Sequence, residues 1–143
     1  MERFRNPSGD KIRALLGRVR SIAVVGLSPD RRRPSHGVAR SMQGFGYRII
    51  PVRPAIDSLL GERAYASLHD LYADHPEGAG LVDVFRASEH VAPLVDECID
   101  LRVPALWLQD GVIDEAAALR AQRAGITVVM NRCVYRDYLA LVA

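Results

Sequence analysis

Lysine is nearly absent from this chain: Lys11 is the only one among 19 basic residues, and arginine supplies the rest. Arginine offers planar, fork-shaped donors suited to phosphate, whereas lysine is a point charge. Cysteine is scarce too. Cys98 and Cys133 are too few for a disulfide framework, and no Cys/His cluster has zinc-ligand spacing. No apolar run approaches the roughly 18 residues that cross a bilayer. The start, Met1-Glu2-Arg3-Phe4-Arg5, lacks the apolar stretch of a secretory signal. Neither sign of charge dominates: the net charge is +2, and although the isoelectric point is near 8.7, this balance argues against a dedicated nucleic-acid binder. Also missing are a Ser/His/Asp order with a nucleophile elbow and a paired-carboxylate signature. These absences lead us to expect a cytoplasmic protein with reduced thiols, no membrane or nucleic-acid partner, no metal and no catalytic residue of its own.

What is present is a well-stocked core. In 143 residues, 49% are hydrophobic and 25% charged, which fits one folded domain and excludes wholesale disorder. Five short apolar runs read as strands: Ser21–Leu27, Tyr47–Val52, Leu81–Phe85, Ala105–Gln109 and Ile126–Met130. Several have no polar interruption, as expected of strands buried on both faces. Helical signals separate them. Residues 9–18 form a leading helix with Ile12, Leu15, Leu16 and Val19 on one face. Ser35 is expected to cap a helix over 36–45 that ends at Gly46. Ser67 and Asp70 open a short helix before Pro76. Ser88 heads another, with Val91, Leu94, Val95, Cys98 and Ile99 on one stripe. Asp114 caps an alanine-rich segment over 115–124 that Gly125 closes.

Strands alternating with helices require crossover connections and hence a parallel sheet covered on both faces. The expected fold is a single-domain, doubly wound, Rossmann-like α/β unit with a five-stranded parallel sheet in the order 3-2-1-4-5. Residues 1–20 would carry the leading helix, 21–131 the core and 132–143 a C-terminal tail. No repeat, low-complexity segment or linker divides the chain.

Ligands of such sheets lie beyond the carboxyl ends of the strands, where strand order reverses. The informative loop there is Gly26-Leu27-Ser28-Pro29-Asp30-Arg31-Arg32-Arg33-Pro34-Ser35-His36-Gly37. It runs from a glycine turn to a helix N-terminus, where unpaired N–H groups and the helix dipole favour an anion. Ser28 and Ser35 add hydroxyl donors, and Arg33 brackets a phosphate from the side. Each charge-assisted contact is worth roughly 1.5–3 kcal/mol, so a diphosphate held by three would bind in the micromolar range after ordering costs. The loop is neither a P-loop nor a true G-x-G-x-x-G, since Ser28 stands at the second glycine. Arg53 follows the second strand, where an NAD site wants an acid. Asp57, the nearest acid, lies beyond Pro54. This disfavours NAD and leaves NADP or a 3′-phosphoadenosine ligand.

Several segments together resemble one family, the small proteins built on a CoA-binding domain of the second type. That domain is similar to the CoA-binding N-terminal domain of the succinyl-CoA synthetase α subunit. The segments are Ala23–Ser28, Arg33–Ala39, Gly46–Val52, Asp83–Arg86, Trp107–Gln109 with Gly111-Val112, and Ala124–Ile126 through Arg132-Cys133. The resemblance implies a ligand, coenzyme A or an acyl-CoA, with its diphosphate at the 28–37 loop, near Gly26, Ser28, Pro29, Arg33, Pro34 and Ser35. Arg53 and Pro54 would face the adenosine end, Phe85 and Arg86 would border the ligand, and Gln109 and Gly111 would flank the pantetheine side. The chain departs from the family pattern at Arg53, Asp110 and Asn131. The resemblance does not reach the synthetase's phosphorylated histidine. The expected role is therefore CoA binding without catalysis. The rival readings are an NADP-dependent oxidoreductase-like protein and a subunit lending its CoA site to a larger ligase. A homodimer or an unknown protein partner is compatible with either role. Cys133, just past the last strand, would reach a ligand thiol or simply pack; His36 would touch a phosphate or face water.

Overall fold

The structure, a computed structural model, describes residues 2–143. Its centre is a parallel sheet of five strands, β1 (Ser21–Val25), β2 (Arg48–Val52), β5 (Leu81–Val84), β6 (Ala105–Leu108) and β7 (Thr127–Met130), in the order β2-β1-β5-β6-β7. Between β2 and β5 the chain makes a small antiparallel hairpin of β3 (Ser58–Leu59) and β4 (Glu62–Arg63), turning through Leu60 and Gly61, both at positive φ.

The sheet is doubly wound as expected. Across the sheet the five full strands, numbered in chain order, run second-first-third-fourth-fifth, where 3-2-1-4-5 was expected. The third apolar run pairs with β1, and beyond β2 lies a single parallel bridge, Val52 to Tyr65. Counting that bridge as a rudimentary strand restores the 3-2-1 order on that side. Either way, strand order reverses at β1, between the carboxyl ends of β1 and β5.

Strand alternation divides the core into two layers. Ala23, Val25, Val82, Val84 and Leu106 face α3 (Leu68–Asp74), α4 (Val91–Asp100) and α5 (Glu115–Arg123). Ile22, Val24, Leu81 and Trp107 face α1 (Gly9–Arg18), α2 (Pro34–Gly44) and α6 (Val134–Leu141). Here 132–143, read from the sequence as a tail, is corrected: Val134 is fully buried, and Tyr138 and Leu141 pack on the same cluster. The covered face would otherwise leave Trp107 and Val129 in water.

Two expected caps are as anticipated: Ser67 Oγ accepts from the Asp70 amide, and Asp114 Oδ1 from the Ala117 amide. Two are corrected. Ser35 lies inside α2, whose N-cap is Arg33, because Pro34 suits the first helical position with its preset φ and missing N–H. Ser88 begins a 3-10 turn, Ser88–His90, ahead of α4 and does not cap it.

Candidate functional site

The strand-to-helix loops at the carboxyl edge open onto a cleft of about 870 Å³, within the roughly 300–1,000 Å³ usual for small-ligand sites. The structure brings nine of the twelve expected residues into its lining: Gly26, Ser28, Pro29, Arg33, Pro34, Ser35, Arg53, Phe85 and Gln109. Pro54 and Arg86 line an adjoining depression that shares Gly26, Arg53 and Phe85 with the main cleft. Gly111 lines neither; its N–H donates to Asn131 Oδ1 at 2.8 Å, and its carbonyl accepts from Ser88 Oγ at 3.2 Å. Ser88 Oγ also accepts from the Ile113 amide at 2.9 Å. The loops after β5, β6 and β7 are thus laced together, with Asn131 in the left-handed region that asparagine tolerates.

Gly26 lets the cleft form. It sits at φ +85°, and a β-carbon there would lie 2.4 Å from the Phe85 carbonyl oxygen. Only glycine permits this approach of β1 to the chain leaving β5.

The loop after β1 differs in detail from the expected ring of unpaired amides. The Ser28 N–H donates to Ser35 Oγ at 3.0 Å, the Asp30 N–H to Ser28 Oγ at 3.1 Å and the Arg32 N–H to Asp30 Oδ1 at 2.9 Å. Short polar side chains have closed the loop on itself, as Ser and Asp do in turns. The crevice nonetheless stays open. Both serine hydroxyls act as acceptors in these bonds, so each keeps its own hydrogen to donate. The Ser35 amide, at the second position of α2, has no acceptor among the described residues. His36 neither faces water nor lines the cleft: its Nδ1 donates to the Ser28 carbonyl at 3.0 Å and holds the loop from below.

Charge is distributed unevenly along the cleft. Arg33 and Arg53, from the β1 and β2 loops, form no ion pair among the described residues; Arg53 makes one long bond, 3.4 Å, to the Leu27 carbonyl. Asp30, which shares their end, is spent on Arg32, whose guanidinium holds its carboxyl below the usual range. At the β6–β7 end, Arg136 of α6 grips Asp110 in a two-pronged pair at 2.7 Å. That end is otherwise lined by Val112 and Cys133. One end presents unspent guanidinium groups and the other is close to neutral.

Val38 and Arg136 are lining residues that the sequence reading missed. The spacing Val134, Tyr138, Leu141 was the available signal for α6 and so for Arg136. Cys133 is buried and contributes to the wall, while Cys98 is core, its thiol pushed up to about 12 by burial. Beneath the cleft floor, Asp83 is buried within the sheet and its carboxyl is pushed up to about 7 by desolvation. The Gln109 amide, 2.7 Å away, and the Val84 N–H pull it down only partly.

Comparison with known proteins bears on what this cleft is for. Residues 20–138 match the CoA-binding domain family, which takes in every strand and the whole cleft lining. The chain belongs to that family. The uncharacterized protein YneT of Bacillus subtilis (strain 168) is 41% identical over 131 residues, covering 92% of this chain and 94% of its own. A solved structure from Thermus thermophilus, cell-free ID.343, is 34% identical with a TM-score of 0.85, over 94% of this chain and 99% of that one. The dinucleotide-forming acetyl-coenzyme A synthetase 1 of Ca. Korarchaeum cryptofilum superposes with a TM-score of 0.64 at 22% identity, over 78% of this chain and 26% of the synthetase. That last likeness is one of fold. Within the family, the asymmetric charge of this cleft is the property that a ligand must match.

Proposed function

We propose that this CoA-binding domain holds coenzyme A or an acyl-CoA along its carboxyl edge and performs no catalysis by itself. The observation that carries this reading is the pairing of unspent Arg33 and Arg53 with a near-neutral opposite end lined by Val112 and Cys133. CoA has that polarity: three phosphates at its adenosine end and an uncharged amide arm ending in a thiol. The diphosphate would lie against the Ser28 and Ser35 hydroxyls, the Ser35 amide and Arg33, with Phe85 beside it. The ribose phosphate would meet Arg53 and, across the adjoining depression, Pro54 and Arg86. Three or more charge-assisted contacts, each worth about 1.5–3 kcal/mol, put the affinity in the micromolar range once ordering costs are deducted.

Arg53 would serve the 2′-phosphate of NADP as readily, so NADP is the competing ligand to test. Calorimetry with CoA, dephospho-CoA, NADP and NAD separates the two. CoA is expected to bind tightest, and dephospho-CoA several-fold more weakly. A preference for NADP over CoA would overturn the assignment.

A further inference from the structure

Asp83 and Gln109 are a buried polar pair in an otherwise apolar layer, and Gln109 also lines the ligand cleft. Gln109 Nε2 donates to Asp83 Oδ1 at 2.7 Å. Its Oε1 has no protein partner among the described residues. Nor is that oxygen sealed away, since Tyr72 Oη is the one buried side-chain polar atom left unpartnered among the described residues. The remaining exposure is toward the cleft. A carboxylate can only accept, so an ionised Asp83 must face the amide nitrogen of Gln109, and the amide oxygen is then turned to the ligand side.

We infer that Asp83 is a positioning residue that locks Gln109 as a hydrogen-bond acceptor for an N–H or S–H donor on the uncharged arm of the ligand. This rests on the CoA reading and deepens it. The cations gather at the β1–β2 end, so the amide-bearing arm lies toward β6, where Gln109 stands. A ligand whose arm presented only acceptors there would leave two oxygens facing each other, and the site would reject it. The pair therefore selects for the donor-bearing pantetheine arm, where the arginines select only for phosphate.

Protonation of Asp83 releases the lock, because its hydroxyl can then donate to the Gln109 oxygen and the amide can turn over. The neighbours that could disturb this titration are few. Asp83 is flanked in register by Val24 on β1 and Trp107 on β6. On the covering helices, the buried ionisable side chains are His36 of α2, Cys133 at the start of α6, and Asp137 of α6. His36 is held by the Ser28 carbonyl and Asp137 by Arg132. The ionisable groups of the cleft, Asp30, Arg33, Arg53, Asp110 and Arg136, line the space above.

The test compares CoA with 3′-phosphoadenosine 5′-diphosphate, which keeps all three phosphates and has no arm. Wild-type protein should favour CoA, and the margin should widen as pH rises from about 6 to 8. Asp83→Asn, whose amide can donate or accept, should weaken CoA about tenfold, leave the armless diphosphate within about twofold, and abolish the pH dependence of the margin. Unchanged binding of the armless diphosphate also reports that the variant is folded. Gln109→Met should lose a similar factor, and the double variant no more than either single one. Equal losses for both ligands, or a CoA preference that survives Asp83→Asn, would overturn the inference. Equal binding of CoA and the armless diphosphate by the wild type would overturn it and leave the functional reading standing. A wild type that ignores CoA overturns both.

Discussion

Gly26, Asp83 and Arg53 each show one side chain, or its absence, deciding a property of the cleft. Alanine at Gly26 would meet the Phe85 carbonyl at 2.4 Å and would occupy φ +85°. Strained positions of this kind cost about 1–3 kcal/mol, and the clash adds to that. Gly26→Ala should therefore lower the thermal midpoint by several degrees in calorimetry; an unchanged midpoint would mean that the two chains can part without loss. At Asp83 the carboxyl is pushed up to about 7, well above its value in the unfolded chain. The folded state then holds a proton that the unfolded state has released. The contribution of this one group to stability is therefore greatest at acid pH, falls as pH rises from about 4 to about 7, and levels off beyond, a loss of up to about 4 kcal/mol. Asp83→Asn removes that loss, so denaturant melts should find it more stable than wild type at pH 8, with the gain shrinking by pH 5. Arg53→Ala should weaken CoA by about tenfold and dephospho-CoA by much less; equal losses would show that Arg53 does not read the ribose phosphate.

Among elements, the loop from β1 into α2 carries the most consequence per residue. Ser35 Oγ is the acceptor for the Ser28 amide, and His36 is the donor to the Ser28 carbonyl. The loop is braced before any ligand arrives, which reduces the ordering cost of binding. Ser35→Ala leaves the Ser28 N–H without its acceptor at a cost of about 1–3 kcal/mol, and it removes the hydroxyl proposed to donate to the ligand. Both a lower midpoint and weaker CoA binding should follow, the latter read by titration. Helix α6 is the other decisive element. Arg132 grips the buried Asp137 at 2.6 and 2.7 Å, and the Arg132 carbonyl accepts from Trp107 Nε1 at 2.8 Å. The helix is thereby pinned to the sheet it covers, and it delivers Arg136 to the cleft.

At the scale of the whole molecule, α6 joins α1 and α2 in closing one face of the sheet, and its Val134, Tyr138 and Leu141 pack into the core. A chain ending at Asn131 would expose the apolar surface around Trp107 and Val129, at roughly 25 cal/mol for each Å² uncovered. It should fail to give a cooperative melt; a normal two-state transition from that truncation would refute the role assigned to α6. Parallel strands place five loops along one edge, and the reversal of strand order at β1 opens the crevice among them. The sheet order then separates the cationic β1–β2 end from the neutral β6–β7 end. That separation gives the cleft a direction.

Much of this was legible in the residues. The β-branched runs at Ser21–Val25 and Leu81–Val84, the Ser67 and Asp114 caps, and Gly26 with Ser28, Arg33 and Arg53 follow from local chemistry, since buried parallel strands must be apolar and caps need short acceptors. The rest depended on contacts between distant segments. No local rule sets Leu81 beside β1 or turns Ser35 Oγ toward the amide seven residues back. None makes Asp110 meet Arg136 across 26 positions, or lodges Asp83 beneath Gln109. The sequence by itself determined the five strands, the helices before α6 and the glycine-led loop at the carboxyl edge, because those depend on neighbours along the chain. Only the tertiary structure decided which amides remained unspent, which arginines stayed unpaired and which carboxyl lost its water, because each depends on what the folded chain brings alongside.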